Sequence, residues 1–324
     1  MGRTPTPPAE EKAPIHIGDL PAQICERSEY WGKSTQEVVD IYAGKLKKVR
    51  LQTVALLLGD VVLAVWSLNA GHGVLYLICL AGIIAIATWR KMRCEVCFQG
   101  LDAVVSHDCN PAGYRDVLEA LAKRDKRGRA RNTLEVELAY CDFLELDSAG
   151  ALRRLQSVSF KRADNPKWFR ALQIEFQSRI DVGDRAGAQD AYDRLAMFAK
   201  NFKGDANRAV AESVLADGKV LLRTPSERDA ADALYMRSRM TTAFVHQSRA
   251  NWQLYLAEYE MLHGSRDEAR HLVSDTSLDP LTPRMQHLRD DIRKGLDACR
   301  LSVLALWLST GAGPCPFIEE DFRP

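Results

Sequence analysis

The sequence predicts an all-α protein: a two-helix transmembrane hairpin followed by an array of antiparallel helical hairpins. Three observations carry that prediction. Residues 51–89 are apolar almost throughout, with one polar interruption. From Arg90 onward apolar residues recur at helical spacing, and no segment alternates with the period of two that marks a strand. Short polar turns followed by a small or aromatic residue recur at intervals of 37 to 43 residues, the pattern of stacked helical pairs.

The totals agree. A chain of 324 residues suffices for a short membrane segment plus one large folded region. Hydrophobic residues make up 46% and charged residues 27%, so the chain as a whole is neither disordered nor mostly embedded in lipid. A net charge of +1 gives no general attraction to nucleic acid, and electrostatic targeting has to be local. The eight cysteines show no framework spacing and one, Cys79, lies inside an apolar run, which suits reduced thiols better than a disulfide scaffold.

The elements follow in chain order. Residues 1–18 are Pro-rich and polar without an apolar core, and read as a tail rather than a cleavable signal. Residues 19–50 read as two cytoplasmic amphipathic helices. Asp19 with Pro21 opens the first, which Gly32 stops, and Ser34 with Glu37 forms a capping box for the second. Gly32-Lys33-Ser34-Thr35 ends like a phosphate-binding loop. Arg27 stands where that motif needs its first glycine, and no strand precedes it.

An unbroken helix over 51–89 would reach about 58 Å, roughly twice the hydrocarbon thickness. Two spans, 51–68 and 73–89, fit, folded at Asn69 to Gly73, where Asn, Gly and His favour a turn at a water interface. Trp66 and Tyr76 flank the turn at headgroup depth, and Trp89 marks the opposite interface. Lys45, Lys47, Lys48 and Arg50 precede the first span, Arg90, Lys91 and Arg93 follow the second, and the tip carries no Lys or Arg. The positive-inside rule then predicts a multi-pass protein of the cell membrane with both termini cytoplasmic. Asp60 falls near the middle of the first span, where a carboxylate costs roughly 2.5–3.5 kcal/mol. Counted back from the tip, Asp60 pairs with Ala81 and Gly59 with Gly82. Asp60 serves either a contact or proton-carrying role inside the bilayer, or a hydrogen bond within the hairpin or a homo-oligomer.

Residues 90–310 form the helical array and 311–324 a tail. Asn110-Pro111, Asn165-Pro166, Thr224-Pro225 and Thr282-Pro283 each place a capping side chain before a proline that fits a first helical turn. Second helices align at Tyr114, Ala151, Ala188, Ala231 and Ala269, at intervals of 37, 37, 43 and 38. First helices carry apolar stripes: Leu134, Leu138 and Cys141; Phe169, Leu172 and Phe176; Val210, Val214 and Leu221; Trp252, Leu256 and Tyr259. Leu301–Thr310 holds too few apolar residues to span a bilayer and reads as the packed end of the closing helix.

On the small residues Ala151, Ala188, Ala231 and Ala269, with Leu138-Ala139 and Leu256-Ala257, the region 90–280 resembles the tetratricopeptide-repeat (TPR) class of α-solenoids. The resemblance implies a right-handed array whose first helices line a concave, protein- or peptide-binding groove. Carried over by position, it implies that Thr133, Tyr140, Arg170, Gln173 and Gln177 face that groove.

Other constellations carry less chemistry. Cys94, Cys97, His107 and Cys109 offer soft ligands to zinc, but the helical stretch between the two pairs holds them about 15 Å apart, so no metal site is expected. No Ser-His-Asp order, glycine-rich loop or paired-carboxylate motif appears, and neither a cofactor nor enzymatic activity is expected. The basic run Lys123, Arg124, Lys126, Arg127, Arg129 and Arg131 lies where a returning helix would bring it toward the headgroups. A membrane-surface contact with anionic lipid is expected there, each charge contributing about 1 kcal/mol. The sequence thus predicts a membrane-tethered scaffold for an unidentified protein or peptide, with no nucleic-acid role and a homo-oligomer through the hairpin as an option. The alternative is a subunit of a transport, secretion or enzyme complex that uses Asp60 within the bilayer.

Overall fold

The structure is a computed structural model, and it describes residues 27–128, 130–160, 166–202 and 204–310. The expectations for the 1–18 tail, the helix opened by Asp19, Arg129, the Asn165 cap, the packing of residues 301–310 and the 311–324 tail lie outside the described residues and side chains. Among the described residues every regular element is helical, and there is no strand.

Two long apolar helices come first. α1 runs over Thr35–Asn69 and α2 over Gly73–Gln99. The capping box that opens α1 is present: the Ser34 amide donates to Glu37 at 2.7 Å and the Glu37 amide donates to Ser34 Oγ at 3.4 Å. The reversal between the helices falls at Ala70 to His72. Gly71 takes φ +74°, a left-handed conformation that a side chain resists, and the Trp66 and His72 rings meet at 5.8 Å. α1 and α2 pack along their length, with Val49, Thr53, Ser67 and Cys79 buried. Most of their other apolar side chains are exposed, among them Leu51, Leu58, Val62, Leu77, Ile78 and Ile84.

The expected pairing across the seam differs in rotation. Asp60, not Gly59, meets Gly82: a Cβ added to Gly82 would stand 2.7 Å from Asp60 Oδ1, whereas Gly59 faces open space. Counting from the tip fixes depth along a helix but not the side it turns to its neighbour.

After the short helix α3 (Ala103–Ser106), helices follow in pairs: α4 (Pro111–Arg124), α5 (Arg131–Leu144), α6 (Ser148–Gln156), α7 (Pro166–Asp181) and α8 (Arg185–Ala199). Then come α9 (Asp205–Leu222), α10 (Ala230–Thr242), α11 (His246–His263), α12 (Arg266–Ser274) and α13 (Pro283–Thr310). From α4 to α9, and again from α10 to α13, each helix packs on the next.

One capping device repeats along the array. Asn110, Asp147 and Asp184 each precede a helix and accept the amide of the glycine three residues on, Gly113, Gly150 and Gly187, at 2.9, 2.8 and 2.9 Å. The residue four after each cap is Tyr114, Ala151 or Ala188, and all three are buried. In α10 the cap is Asp229, so the equivalent residue is Ala233, which packs on the core, while Ala231 is exposed. The sequence register slipped because Thr224 also carries a capping box, one that opens only the single turn Pro225–Glu227. The first-helix stripes are buried or half-buried except Val210, which is 63% exposed; α9 buries Ala211, Gly218 and Val220 instead. Gly218 leaves room for Tyr192, whose ring would lie 2.9 Å from an added Cβ.

The first turns of α1, with Tyr30 just before the helix, belong to the core of the helices that follow. Tyr30, Val38 and Val39 share one buried cluster with Leu101, Tyr114, Leu118 and Leu138. Ser28 adds to the junction, its amide donating to buried Asp108 at 2.9 Å. A second cluster centres on Met236, Trp252, Leu254, Leu272 and Ile292.

Candidate functional site

Three of the five residues expected to line a groove, Thr133, Tyr140 and Arg170, come together. On α5, Thr133, Glu137 and Tyr140 stand four and three residues apart, hence on one face. On α7, Lys167, Arg170, Gln173 and Gln177 do the same. Where the two faces meet, Lys167 Nζ donates to Thr133 Oγ1 at 2.8 Å, and the Arg170 guanidinium lies over the Tyr140 ring, 4.1 Å from its centroid. Gln173 and Gln177 continue the α7 face, half-buried, and extend the surface beyond the cluster.

Carboxylates surround the cations at a distance. Arg170 lies 3.8 Å from Asp102 and 3.9 Å from Glu137, and Lys167 lies 3.7 Å from Glu95. For Arg170 both separations exceed the roughly 2.7–2.9 Å of a direct charge-assisted hydrogen bond, so its charge is balanced without being locked to either carboxylate. Burial pushes the Glu137 carboxyl above its usual range, against the pull of Arg170. Burial likewise pushes the Tyr140 phenol up to about 12, which keeps its O–H a donor at neutral pH.

The far end of the array closes on this face. The Tyr140 hydroxyl donates to Gln247 Oε1 of α11 at 3.0 Å. Arg284 of α13 forks onto Asp181 at the end of α7, with Nη2 to Oδ1 at 2.6 Å, and stacks over Phe143 of α5 at 4.3 Å. The sequence reading missed Glu137, although its spacing of four and three residues from Thr133 and Tyr140 could have placed it on the same face. Gln247 and Arg284 lay beyond such reading, since they stand more than 100 residues from their partners.

The remaining expected site residues lie apart from this cluster. Lys123, Arg124, Lys126, Arg127 and Arg131 are exposed at the α4–α5 connection, and Arg124 lies 3.6 Å from Asp40 of α1. Asp40 precedes Leu51 by eleven residues, so this part of the loop sits about 16 Å along α1 from the first apolar span. Asp60 is in the hairpin seam, with Oδ2 covered and without a hydrogen-bond partner. Cys94 and Cys97 are half-buried beside Tyr42, whose phenol burial raises to about 12. No group of three or more His, Cys, Asp or Glu among the described residues could hold a metal ion. A shallow hollow of 360 Å³ between α5 and α6 is lined by Glu135, Asp142, Asp147 and Arg154. Its charges hold the fold: Asp142 bridges Arg115 at 2.6 Å and Arg154 at 2.8 Å.

No protein-family model, curated protein or solved structure matches this chain.

Proposed function

We propose that this chain is an integral membrane protein whose hairpin anchors a cytoplasmic, TPR-like helical array that holds a protein or peptide on its inner face. One observation carries the anchor: only 11% and 6% of the apolar windows of the two long helices are covered by the rest of the molecule, at mean hydropathies of 1.9 and 1.8. A soluble protein buries such helices. The basic flanks of both spans and the uncharged tip put the termini on the cytoplasmic side. Exposed Lys123, Lys126, Arg127 and Arg131 add attraction to anionic headgroups that lie within a screening length of them.

The binding surface is read from the loosely paired charges around Arg170. A guanidinium stacked on an aromatic ring, with carboxylates just beyond bonding distance, can exchange them for the carbonyls or carboxylates of a peptide at small electrostatic cost. The test is affinity capture of the full chain in mild detergent, with a photo-crosslinking side chain at Gln173. A partner cross-linked there, retained when a foreign hairpin replaces 51–89 and lost in Arg170→Glu, supports the scaffold. Loss of the partner with the foreign hairpin supports instead a subunit that works within the bilayer, the reading favoured by the unpartnered oxygen of Asp60.

A further inference from the structure

Charge of one sign gathers at the open end of the hairpin. Between Asp40 and Glu95 the only acidic residue is Asp60, about 15 Å along α1 from Arg50. Lys47, Lys48 and Arg50 precede the apolar stretch on α1, and Arg90, Lys91 and Arg93 follow it on α2. All six are exposed, and none pairs with a carboxylate among the described residues. The bordering carboxylates face other cations: Glu29 holds Lys45, Asp40 lies 3.6 Å from Arg124 and Glu95 lies 3.7 Å from Lys167.

The two helices bring these cations to one depth. Asp60 meets Gly82 across the seam, so ten residues further from the turn Arg50 stands level with Met92. On that register the six lie within about 8 Å of one another along the helix axes. Leu51 and Trp89 border them, so in a bilayer this depth is that of the lipid headgroups. Lys47 and Arg50, like Arg90 and Arg93, stand three apart and share a side of their helix. A singly charged headgroup can engage one such pair, whereas a headgroup with two phosphates can engage both and gives up its freedom only once. Three of the six are arginines, whose planar fork matches phosphate oxygens. Resting on the membrane reading above, we propose that the open end of the hairpin binds a lipid whose headgroup carries two phosphates. Arg50 of α1 holds one phosphate, and Arg90 and Arg93 of α2 hold the other.

The experiment titrates the full chain, in neutral detergent, with diphosphatidylglycerol or with phosphatidylglycerol at matched phosphate concentration, and counts retained lipids by native mass spectrometry. One diphosphatidylglycerol per chain is expected, with phosphatidylglycerol held weakly. Arg50→Gln with Arg93→Gln should weaken retention roughly thirtyfold. Arg50→Lys with Arg93→Lys keeps the charges that orient the hairpin but loses the forked bonds, and should weaken it severalfold. Lys123→Gln with Lys126→Gln, in the α4–α5 connection, should leave it unchanged. Equal retention of the two lipids, wild-type retention in either arginine pair, or an equal loss in the Lys123 and Lys126 variant overturns the proposal. Inorganic pyrophosphate bound as tightly as diphosphatidylglycerol would assign the cations to a soluble anion and overturn it as well. Alkaline extraction of the membranes separates the two levels: release into the soluble fraction defeats the membrane reading, while a membrane-retained chain without preference between the lipids defeats only this site.

Discussion

His246 opens α11, and both neighbours of its Nε2 are acceptors, the carbonyls of Leu278 at 3.0 Å and Pro280 at 2.8 Å. Nε2 therefore carries the proton it donates, and burial lowers the ring's pKa below the usual 6.5 against the opposing pull of the two carbonyls, with Arg249 and Arg27 adding to the lowering. Between the lowered folded value and 6.5 the unfolded chain binds more protons than the folded one. The stabilisation is thus complete above about pH 6.5 and is lost as pH falls through the folded value. The thermal midpoint of the detergent-solubilised chain should drop between pH 7 and 5, and His246→Gln should flatten that slope. An identical slope in the variant would assign the pH response to other groups. Gly187 gives a second test. A Cβ there would stand 2.1 Å from Asp184 Oδ2 and 2.2 Å from Arg179 Nη1, which pair with each other at 2.6 Å. Alanine gains about 0.5–1 kcal/mol over glycine inside a helix, yet here it displaces both the cap and the ion pair. Gly187→Ala should lower the melting midpoint, and combining it with Asp184→Ala should add little, because both remove one contact.

At the scale of elements, the helices were legible where local chemistry sets their ends. Pro111–Arg124 starts at its Asn-Pro cap and stops at the basic loop as expected, and the hairpin reverses at the Asn-Ala-Gly-His stretch. Legibility failed where two caps follow in succession, at Thr224 and Asp229, and at Val210, the one member of the expected α9 stripe that the structure leaves exposed. Nor did the sequence reveal the partners of the first turns of α1, which read there only as an amphipathic helix leading into the apolar stretch. In the structure they lend Val38 and Val39, with Tyr30 just before the helix, to the cluster around Tyr114 and Leu118. A fragment beginning at residue 95 would leave that cluster open, and it should aggregate or melt without a cooperative transition. Joining 27–50 to 90–310 through a short Gly/Ser linker should give a monodisperse, cooperatively melting protein, because packed helices run about 8–10 Å apart and a few residues bridge the gap. Equal solubility and equal melting of the two fragments would show that α1 is only a tether.

For the molecule as a whole, the deciding contacts join parts of the chain that no periodicity connects. Intervals of 37 to 43 residues say which neighbouring helices are expected to pack; nothing in such an interval says whether the two ends of the chain of helices meet. Here α13 reaches α5 and α7 through Arg284, which is held by Asp181 and by the face of Phe143, while Gln247 of α11 takes the Tyr140 hydroxyl. Side chains of Arg284 and Asp181 are only 21% and 18% exposed, so the pair is shielded enough for its hydrogen bonds to count, at roughly 1.5–3 kcal/mol. The local cores of the two ends are separate clusters, so losing this clasp should part the ends without melting either. Arg284→Ala should therefore speed amide exchange in the first turns of α13 and α11 and leave helix content unchanged. Asp181→Asn should do the same more weakly, since its amide still accepts one bond from the guanidinium. If exchange rises throughout α4–α8 as well, the ends do not move independently and the array unfolds as one unit. If it rises nowhere, the packing of α13 on α5 and of α11 on α3 holds the two ends together without this pair.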